Sequence, residues 1–388
     1  MLGYFITFTH YDLIPYFNDK RINGMVKKLG YRAIYEEIKK DIESNIYEPD
    51  ERLPTEQEMS IKYSVSRPTI CKVYNILQEE GYVRKKKGSG TFVIFGSKKK
   101  YTFGLLLPGA GESEIFSIIN DRLLNLSKEI GFECLWDGAS ANDAKIRKSL
   151  AEFNCDEYIR KKVDGIFFSP IERFENADII NKSIYEKVSQ EGIPMVLIDR
   201  DVLPFPEKSN LDLVCLDNYQ AGYIVGRHLI EQGCTTLFFF YRPFSAYSVK
   251  QRLIGLFFAA MSLGVAFSDK NVICSSPDDK LTISKLPIHP GKTGIICAND
   301  STAAMLMSTL EETGVRLCKD VLVCGFDDMK YAQYLKCPLT SYRQPCEEIA
   351  NLSVELMLRR VLNSKVAPIT AMLSGELKKR KSTEFQEG

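Results

Sequence analysis

The sequence of 388 residues predicts an α/β protein in two parts, a winged helix-turn-helix head and a larger body of parallel β-sheet. Two short capped helices followed by a basic hairpin predict the head. Short apolar runs separated by amphipathic stretches predict the body. We therefore divide the chain into an N-terminal extension at residues 1–28, the head at 29–95, a linker at 96–100 and the body at 101–388.

Charge is distributed unevenly between these parts. Residues 26–100 carry 16 Lys and Arg against 11 Asp and Glu, whereas residues 101–388 carry 33 against 37. A basic head on a mildly acidic body indicates that the head meets a polyanion.

Composition excludes several other classes of protein. The longest apolar run, around residues 255–267, is too short to span a bilayer, and the N-terminus lacks a secretion signal, so we expect a cytoplasmic protein without a membrane partner. The 11 Cys include no C-x-x-C pair and the three His are widely separated, so we expect no metal, no cofactor and no disulfide framework. Residues 1–25 show no periodicity, and Met25 is a hypothetical alternative start.

The head begins with a helix near residue 31. Ile34, Ile38 and Ile42 recur at helical spacing, and Asn45 and Pro49 end the pattern.

Two further helices with a tight turn between them follow. Thr55 and Glu58 have the spacing of a capping box at the start of the first. Ser66 is placed to cap the second, which has Pro68 in its first turn and Gly81 at its end. Its predicted inner face consists of Ile70, Val73, Tyr74 and Leu77.

A basic hairpin completes the head. We expect strands at residues 82–84 and 91–94 and a turn over 85–90 that carries three Lys and Gly-Ser-Gly. A Lys run is usually a solvated loop, and no helix follows the glycines, which argues against a nucleotide-binding loop.

Residues 29–95 resemble the GntR family of bacterial winged-helix regulators. The resemblance implies that Ser66, Arg67 and Thr69 open a recognition helix in the major groove of DNA and that Gln57 contacts DNA from the preceding helix. It also implies that Gly90 lets the wing enter the minor groove. Lys72, which follows a Cys where many members carry Arg, and Lys86 of the wing complete the DNA-binding set. The matching segments are Leu53–Glu56, Val65–Ile70, Leu77–Gly81 and Gly88–Val93.

The body alternates buried-type strands with helices, and polar residues follow several strands directly. Parallel sheets bind ligands beyond the carboxyl ends of their strands, so these residues are candidate ligands. A single Asn-Asp pair is more often a helix cap, but recurrence after several strands favours a site. Phe116, Trp136 and Phe244 lie nearby in sequence and suit the apolar face of a sugar ring. The predicted strands are residues 103–107, 133–136, 165–168, 194–198, 237–241, 294–297 and 321–324. The polar residues that follow them are Ser169, Asp199, Arg200, Asn299, Asp300, Asp327 and Asp328.

Residues 101–383 resemble the periplasmic-binding-protein-like effector domain of the LacI family. The resemblance implies two sheet lobes joined by crossing strands, with the effector in the cleft between them. It implies that Arg252, Asn299 and Asp327 bind hydroxyl groups, with Asp217 and Gln344 in support. A GntR-type head on this body resembles the arabinose-repressor subgroup. The matching segments are Asp217–Gly222, Arg252–Leu256, Ala298–Asp300, Gly325–Asp328 and Pro338–Pro345.

Two finer expectations concern the cleft. Arg252 and Asp327 are expected to face each other across the hinge. Only Arg252, with Arg200 as a further candidate, is expected to offer positive charge, which disfavours a phosphorylated ligand.

An enzyme is not expected. Gly291–Thr293 lacks the upstream Gly of a phosphate-binding loop, and neither a G-x-G-x-x-G nor a G-x-S-x-G motif occurs in a suitable place.

The sequence therefore predicts a sequence-specific DNA-binding repressor of carbohydrate-utilisation genes. We expect a homodimer, because one winged helix reads one half-site, and release from the operator by a monosaccharide. The alternatives are a regulator that senses a nucleobase or a sugar phosphate, and a sugar-binding module without a DNA role. The sequence does not name the sugar or the operator.

Overall fold

The computed structural model describes residues 30–44, 46–86, 88–95, 101–109, 114–136, 143–204 and 207–385. The chain divides into two units, Met1–Lys98 and Lys99–Gly388. The predictions for residues 1–28, for the linker at 96–100, and for Asn45 and Lys87 lie outside the described residues.

The first unit has three helices and a hairpin, as predicted: α1 (Tyr31–Glu43), α2 (Glu56–Lys62), α3 (Arg67–Glu79), β1 (Val83–Lys86) and β2 (Gly90–Val93). The strands pair antiparallel, and β1 runs two residues further than the sequence predicted, so the turn is shorter. The inward faces of these elements form one apolar core, which includes Ile34, Ile38, Ile42, Leu53, Met59, Ile70, Val73, Tyr74, Leu77, Val83 and Val93.

The second unit contains two six-stranded sheets. We call each sheet with its covering helices a lobe. The elements in chain order are β3 (Thr102–Leu106), α4 (Glu114–Ile130), β4 (Glu133–Leu135), α5 (Ala144–Arg160), β5 (Gly165–Phe168), α6 (Ala177–Gln190), β6 (Met195–Ile198), β7 (Asp212–Leu216), α7 (Asn218–Glu231), β8 (Thr236–Tyr241), α8 (Tyr247–Ser262), β9 (Val272–Cys274), α9 (Lys280–Ile283), β10 (Thr293–Cys297), α10 (Asp300–Glu312), β11 (Val321–Asp327), β12 (Thr340–Arg343), α11 (Cys346–Leu362), β13 (Thr370–Leu373) and β14 (Glu376–Lys378).

Lobe 1 has the strand order β13-β7-β6-β5-β3-β4 and lobe 2 has β14-β12-β11-β10-β8-β9. All neighbours in both sheets pair in parallel except β12 and β14. Helices pack on both faces, which explains why the central strands are apolar throughout. The sequence did not predict β7, β9, β12, β13 and β14. Of these, β9, β13 and β14 are short and partly exposed strands at sheet edges. The other two, β7 and β12, are largely buried strands inside their sheets.

The chain crosses between the lobes three times: after β7, after β12 and after β13. The structure therefore has the predicted two-lobed architecture, with the carboxyl ends of the parallel strands facing a shared cleft. Among the described residues, no helix is long and apolar enough to span a membrane.

Candidate functional site

The first candidate site is the exposed surface of α2 and α3. Thr55 and Glu58 form the predicted capping box: the Glu58 amide donates to Thr55 Oγ1 at 3.2 Å, and the Thr55 amide donates to Glu58 Oε2 at 2.6 Å. Ser66 occupies the N-cap position of α3, but its hydroxyl bonds the Thr69 hydroxyl at 2.8 Å and caps no backbone amide. The predicted side-chain cap is therefore wrong: α3 begins without a hydrogen bond from the Ser66 side chain to a backbone amide.

Solvent reaches most of the predicted DNA contacts on these helices. Gln57, Ser66 and Lys72 are exposed, and Thr69 is half-buried. The side chain of Arg67 is 69% exposed and its Nε donates to Glu56 Oε2 at 3.2 Å. An exposed ion pair of this kind contributes little to stability, so the guanidinium is available to another partner.

The wing presents Lys86 to solvent, whereas Lys85 donates to Asn75 Oδ1 on α3 at 2.7 Å. That hydrogen bond joins the hairpin to α3. Gly90 has a φ of 120°, and a Cβ at this position would lie 2.6 Å from Arg52 Nε. The exposed Arg52 side chain is flexible and can move aside, so it is the positive φ that favours glycine, which is a structural reason for Gly90 beside the predicted role in DNA binding.

The second candidate site is a cleft between the two lobes, which we call the inner cleft. It encloses about 740 Å³ of empty volume, counted out to its open mouth. Five of the predicted effector residues line it. They are Phe116, which is buried at the start of α4, and Arg252, Asn299, Asp327 and Gln344.

Arg252 is held in place before any ligand arrives. It is 4% exposed, its Nε donates to Asn218 Oδ1 at 2.8 Å, and its Nη1 donates to the Ala298 carbonyl at 2.6 Å. Its guanidinium carbon lies 4.6 Å from the centre of the Phe326 ring. Arg252 is therefore part of the lobe 2 core as well as a wall of the cleft.

Two glycines allow this placement. A Cβ at Gly222 on α7 would overlap the backbone carbonyl of Arg252, and one at Gly255 on α8 would overlap the carbonyl of Tyr219. The two helices pack with their backbones in contact, which sets the depth at which Arg252 enters the cleft.

Asp327 ends β11 with a φ of 105°. Its Oδ1 accepts from Gln344 Nε2 at 2.7 Å and lies 3.9 Å from Arg252 Nη1. Burial raises the pKa of Asp327 to about 6, although Arg252 and the Gln344 hydrogen bond oppose this rise. Arg252 and Asp327 both belong to lobe 2, so the expectation that they face each other across the hinge is wrong.

Asn299 is a helix cap. Its Oδ1 accepts from the Thr302 amide at 2.9 Å and so satisfies the start of α10.

Three predicted effector residues do not line the inner cleft. Asp217 caps α7 by accepting from the Gln220 amide at 2.9 Å. Trp136 follows the edge strand β4 and packs against the apolar core of lobe 1. Phe244 lies on the wall of a neighbouring cavity, with 58% of its surface exposed. Proximity in sequence to a strand end did not decide which way these residues point.

An ion-pair network that the sequence did not predict lies in lobe 1 beside the cleft, and a hydrogen bond joins it to lobe 2. Arg200 Nη1 lies 2.9 Å from Glu172 Oε2, and Arg200 Nε donates to Asp199 Oδ2 at 2.8 Å. Glu172 Oε2 also accepts from the amide of Ala246 at the start of α8, in lobe 2, at 2.8 Å. Burial raises the pKa of Glu172, but Arg200, Arg173 and this amide outweigh burial and hold it below the ordinary value. Asp199 and Arg200 are candidate ligands in the sequence because they directly follow an apolar strand, whereas no sequence pattern indicates Glu172.

The cleft holds more positive charge than expected. The expectation that only Arg252 and Arg200 contribute is wrong, because α5 and the loop after β5 each bring a further Arg to the cleft. A lack of positive charge in the cleft therefore gives no reason to disfavour a phosphorylated ligand. The lining Arg are Arg147, Arg173, Arg200 and Arg252, and the lining carboxylates are Glu172, Asp199 and Asp327.

Residues with a positive φ are concentrated around the inner cleft and the cavity beside it. Of the ten non-glycine residues with positive φ that the described ranges contain, five line the cleft or its neighbouring cavity. Such conformations cost free energy and tend to collect at functional sites. The five are Arg173, Asn176, Asp199, Phe244 and Asp327.

Comparison with known proteins finds matches for both parts of the chain. Residues 30–93 match the family described as bacterial regulatory proteins, gntR family, and residues 227–383 match the periplasmic binding protein-like domain. The arabinose metabolism transcriptional repressor of Geobacillus stearothermophilus is 26% identical over 351 residues, which cover 87% of this chain and 93% of that protein. The repressor of the same name from Halalkalibacterium halodurans is 24% identical and covers 84% of this chain and 88% of that protein.

A solved structure of a LacI family transcriptional regulator from Enterococcus faecium with bound ribose has the same fold. Its TM-score is 0.58 at 23% identity, and the match covers 74% of this chain and all of that one.

The matched families and the relatives define a DNA-binding transcriptional regulator. Its head matches the gntR family, part of its body matches the periplasmic binding protein-like domain, and the body shares its fold with a solved LacI family regulator.

Proposed function

We propose that this protein represses carbohydrate-utilisation genes and leaves its operator when a monosaccharide binds in the inner cleft. It acts in the cytoplasm as a homodimer and has no catalytic activity of its own. The observation that carries the proposal is the combination, in one chain, of an exposed recognition helix and an interlobe cleft with fixed polar groups. The names of the two arabinose metabolism repressors support a sugar as the effector.

The inner cleft has the chemistry that a polyol needs. The Asp327 carboxylate accepts hydrogen bonds, Arg252 and Gln344 donate them, and the Phe116 ring gives an apolar wall. The polar groups are already oriented by their protein partners, so a ligand loses little free energy in ordering them.

DNA release follows from a ligand that favours one arrangement of the lobes. The Glu172–Ala246 hydrogen bond joins lobe 1 to lobe 2 beside the cleft, so a bound sugar and this bond favour the same closed arrangement. The sugar shifts the equilibrium only by its difference in affinity for the two arrangements. We expect closure to change the spacing of the two recognition helices in the dimer, so that both half-sites are no longer bound together.

A sugar phosphate is the second candidate effector. The four arginines at the cleft favour it, because Arg is well suited to phosphate. Three of them have carboxylate partners within 4 Å, which lowers the positive charge available to a ligand.

A gel shift on the DNA upstream of the gene tests the proposal. The protein should bind this DNA more tightly than random DNA, with strong dependence on salt, and L-arabinose, D-ribose or D-galactose should release it. Release by D-ribose 5-phosphate alone would favour the second candidate, and no preference for the upstream DNA would favour a sugar-binding module.

Linkage gives a second test. Operator DNA should weaken sugar binding by the same factor by which sugar weakens operator binding. Tighter sugar binding in the presence of operator would instead indicate a co-repressor.

A further inference from the structure

A second cavity adjoins the inner cleft on the far side of the Glu172–Ala246 hydrogen bond, and we call it the outer cavity. It encloses about 780 Å³ of empty volume, and both lobes contribute to its wall. The two cavities share part of their lining, so they lie side by side along the interlobe surface. The shared residues are Pro170, Ile171, Glu172, Arg200 and Ser245.

The outer cavity exposes an aromatic ring in an unusual backbone conformation. Phe244 has a φ of 57°, which is rare for a bulky residue, and 58% of its surface is exposed. The amide of Arg173 in lobe 1 donates to its carbonyl at 2.9 Å and fixes the backbone there. This contact between the lobes therefore holds the Phe244 ring at the wall of the outer cavity, where a ligand can cover it.

Two further rings and two exposed charged groups surround this position. Phe174 from lobe 1 and Tyr247 from lobe 2 are half-buried in the wall, and Asp178 and Lys250 are exposed at its rim. Aromatic faces pack on the C–H faces of sugar rings, and a carboxylate and an ammonium bind the hydroxyl groups at the edge. The inner cleft, by contrast, is dominated by ion pairs.

We propose that the outer cavity is a second sugar subsite and that the preferred effector is a disaccharide. One sugar ring occupies the inner cleft, as in the proposed function on which this inference rests. The next ring stacks on Phe244 in the outer cavity. The second ring contacts both lobes, so it adds to the free energy that favours the closed arrangement.

The test is calorimetry on the full chain with matched pairs of sugars: L-arabinose and 1,5-arabinobiose, D-galactose and lactose, D-glucose and cellobiose. At least one disaccharide should bind about tenfold more tightly than its monosaccharide, the factor expected when one ring face is covered. Phe244→Asn should bring this ratio close to one, and Asn tolerates the left-handed backbone. Phe244→Tyr should keep the ratio.

Phe257→Asn is the matched control, because Phe257 is a comparably exposed Phe on α8 that lines neither cavity. Its ratio should equal that of the wild type. Monosaccharide binding without tighter binding of any disaccharide, or equal loss of both in Phe244→Asn, would overturn the second subsite and leave the proposed function intact. If no sugar of either length binds the wild type, the proposed function fails and the subsite fails with it.

Discussion

The raised pKa of Asp327 predicts that sugar affinity depends on pH. In the unliganded protein burial raises this pKa to about 6, so at pH 5 about nine-tenths of the carboxyl groups carry a proton. A sugar hydroxyl that donates to Asp327 binds the ionised form, and the apparent affinity falls with the fraction in that form. Affinity should therefore rise about tenfold between about pH 5 and about pH 7.5 and then level off.

Asp327→Asn removes the charge with little change in shape. Gln344 Nε2, now 2.7 Å from Asp327 Oδ1, finds an amide oxygen at the same place, and Asn accepts the positive φ of this position. The ligand loses a hydrogen bond to a charged acceptor, which corresponds to about 1.5–3 kcal/mol, or roughly 10- to 100-fold weaker binding. The rise in affinity with pH should disappear.

Asp327→Asn should also change the pH dependence of the stability of the sugar-free protein, and the raised pKa of Asp327 determines the direction of this change. Because the pKa of Asp327 is raised in the folded protein, its contribution to stability is present below the unfolded pKa of about 4 and is lost as the pH rises through about 6. Two pH units correspond to about 3 kcal/mol. The wild type should thus lose about this much stability, relative to Asp327→Asn, between about pH 4 and about pH 7.

Calorimetry across this pH range, with wild type and variant side by side, checks the first two expectations, and urea unfolding checks the third. A wild-type affinity that is flat with pH, or an Asn variant that binds sugar as the wild type does, would refute the role of Asp327.

Three further predictions follow from the head and from lobe 2. Arg67→Ala should cost about 1–3 kcal/mol on operator DNA and blur sequence preference, whereas Lys86→Ala should weaken all duplexes alike and reduce the salt slope. Equal losses on operator and random DNA for Arg67→Ala, in a gel shift, would argue against base readout. Gly222→Ala should destabilise the fold by roughly 3 kcal/mol or more, because its Cβ overlaps the Arg252 carbonyl, and unchanged thermal unfolding would contradict the close helix contact. Burial lowers the pKa of His228, so stability should fall as the pH drops through about 6.5, and His228→Gln should show a smaller fall in urea unfolding. An equal fall in wild type and variant would mean that this histidine does not titrate in that range.

The positions of helices, helix caps and most strands of the apolar core could be predicted, because they depend on residues that are close in sequence. The Thr55–Glu58 capping box formed as expected, and β5 runs from Gly165 to Phe168 as its apolar run indicated. The exception is the Ser66 cap, where a hydroxyl three residues away competes with the backbone amide.

Side-chain direction in the cleft could not be predicted in this way. Asn299 and Asp217 both follow a strand and both cap a helix, yet only Asn299 lines the inner cleft. Trp136 follows the edge strand β4, and its side chain packs against the apolar core of lobe 1 and does not line the cleft. The position of a residue directly after a strand predicts at which end of the sheet it lies. It does not predict which side chains it contacts there.

The two-part organisation, the helix-turn-helix with its wing, and the alternation of strands and helices could be predicted from the sequence, because they depend on local hydrogen bonding and hydrophobic periodicity. Three features become visible only in the folded chain: Arg252 and Asp327 share lobe 2, Glu172 of lobe 1 accepts from an amide of lobe 2, and Phe244 lines a second cavity. The physical reason is that such contacts join residues far apart in the chain, and their distances depend on how the two sheets pack and where the chain crosses between them.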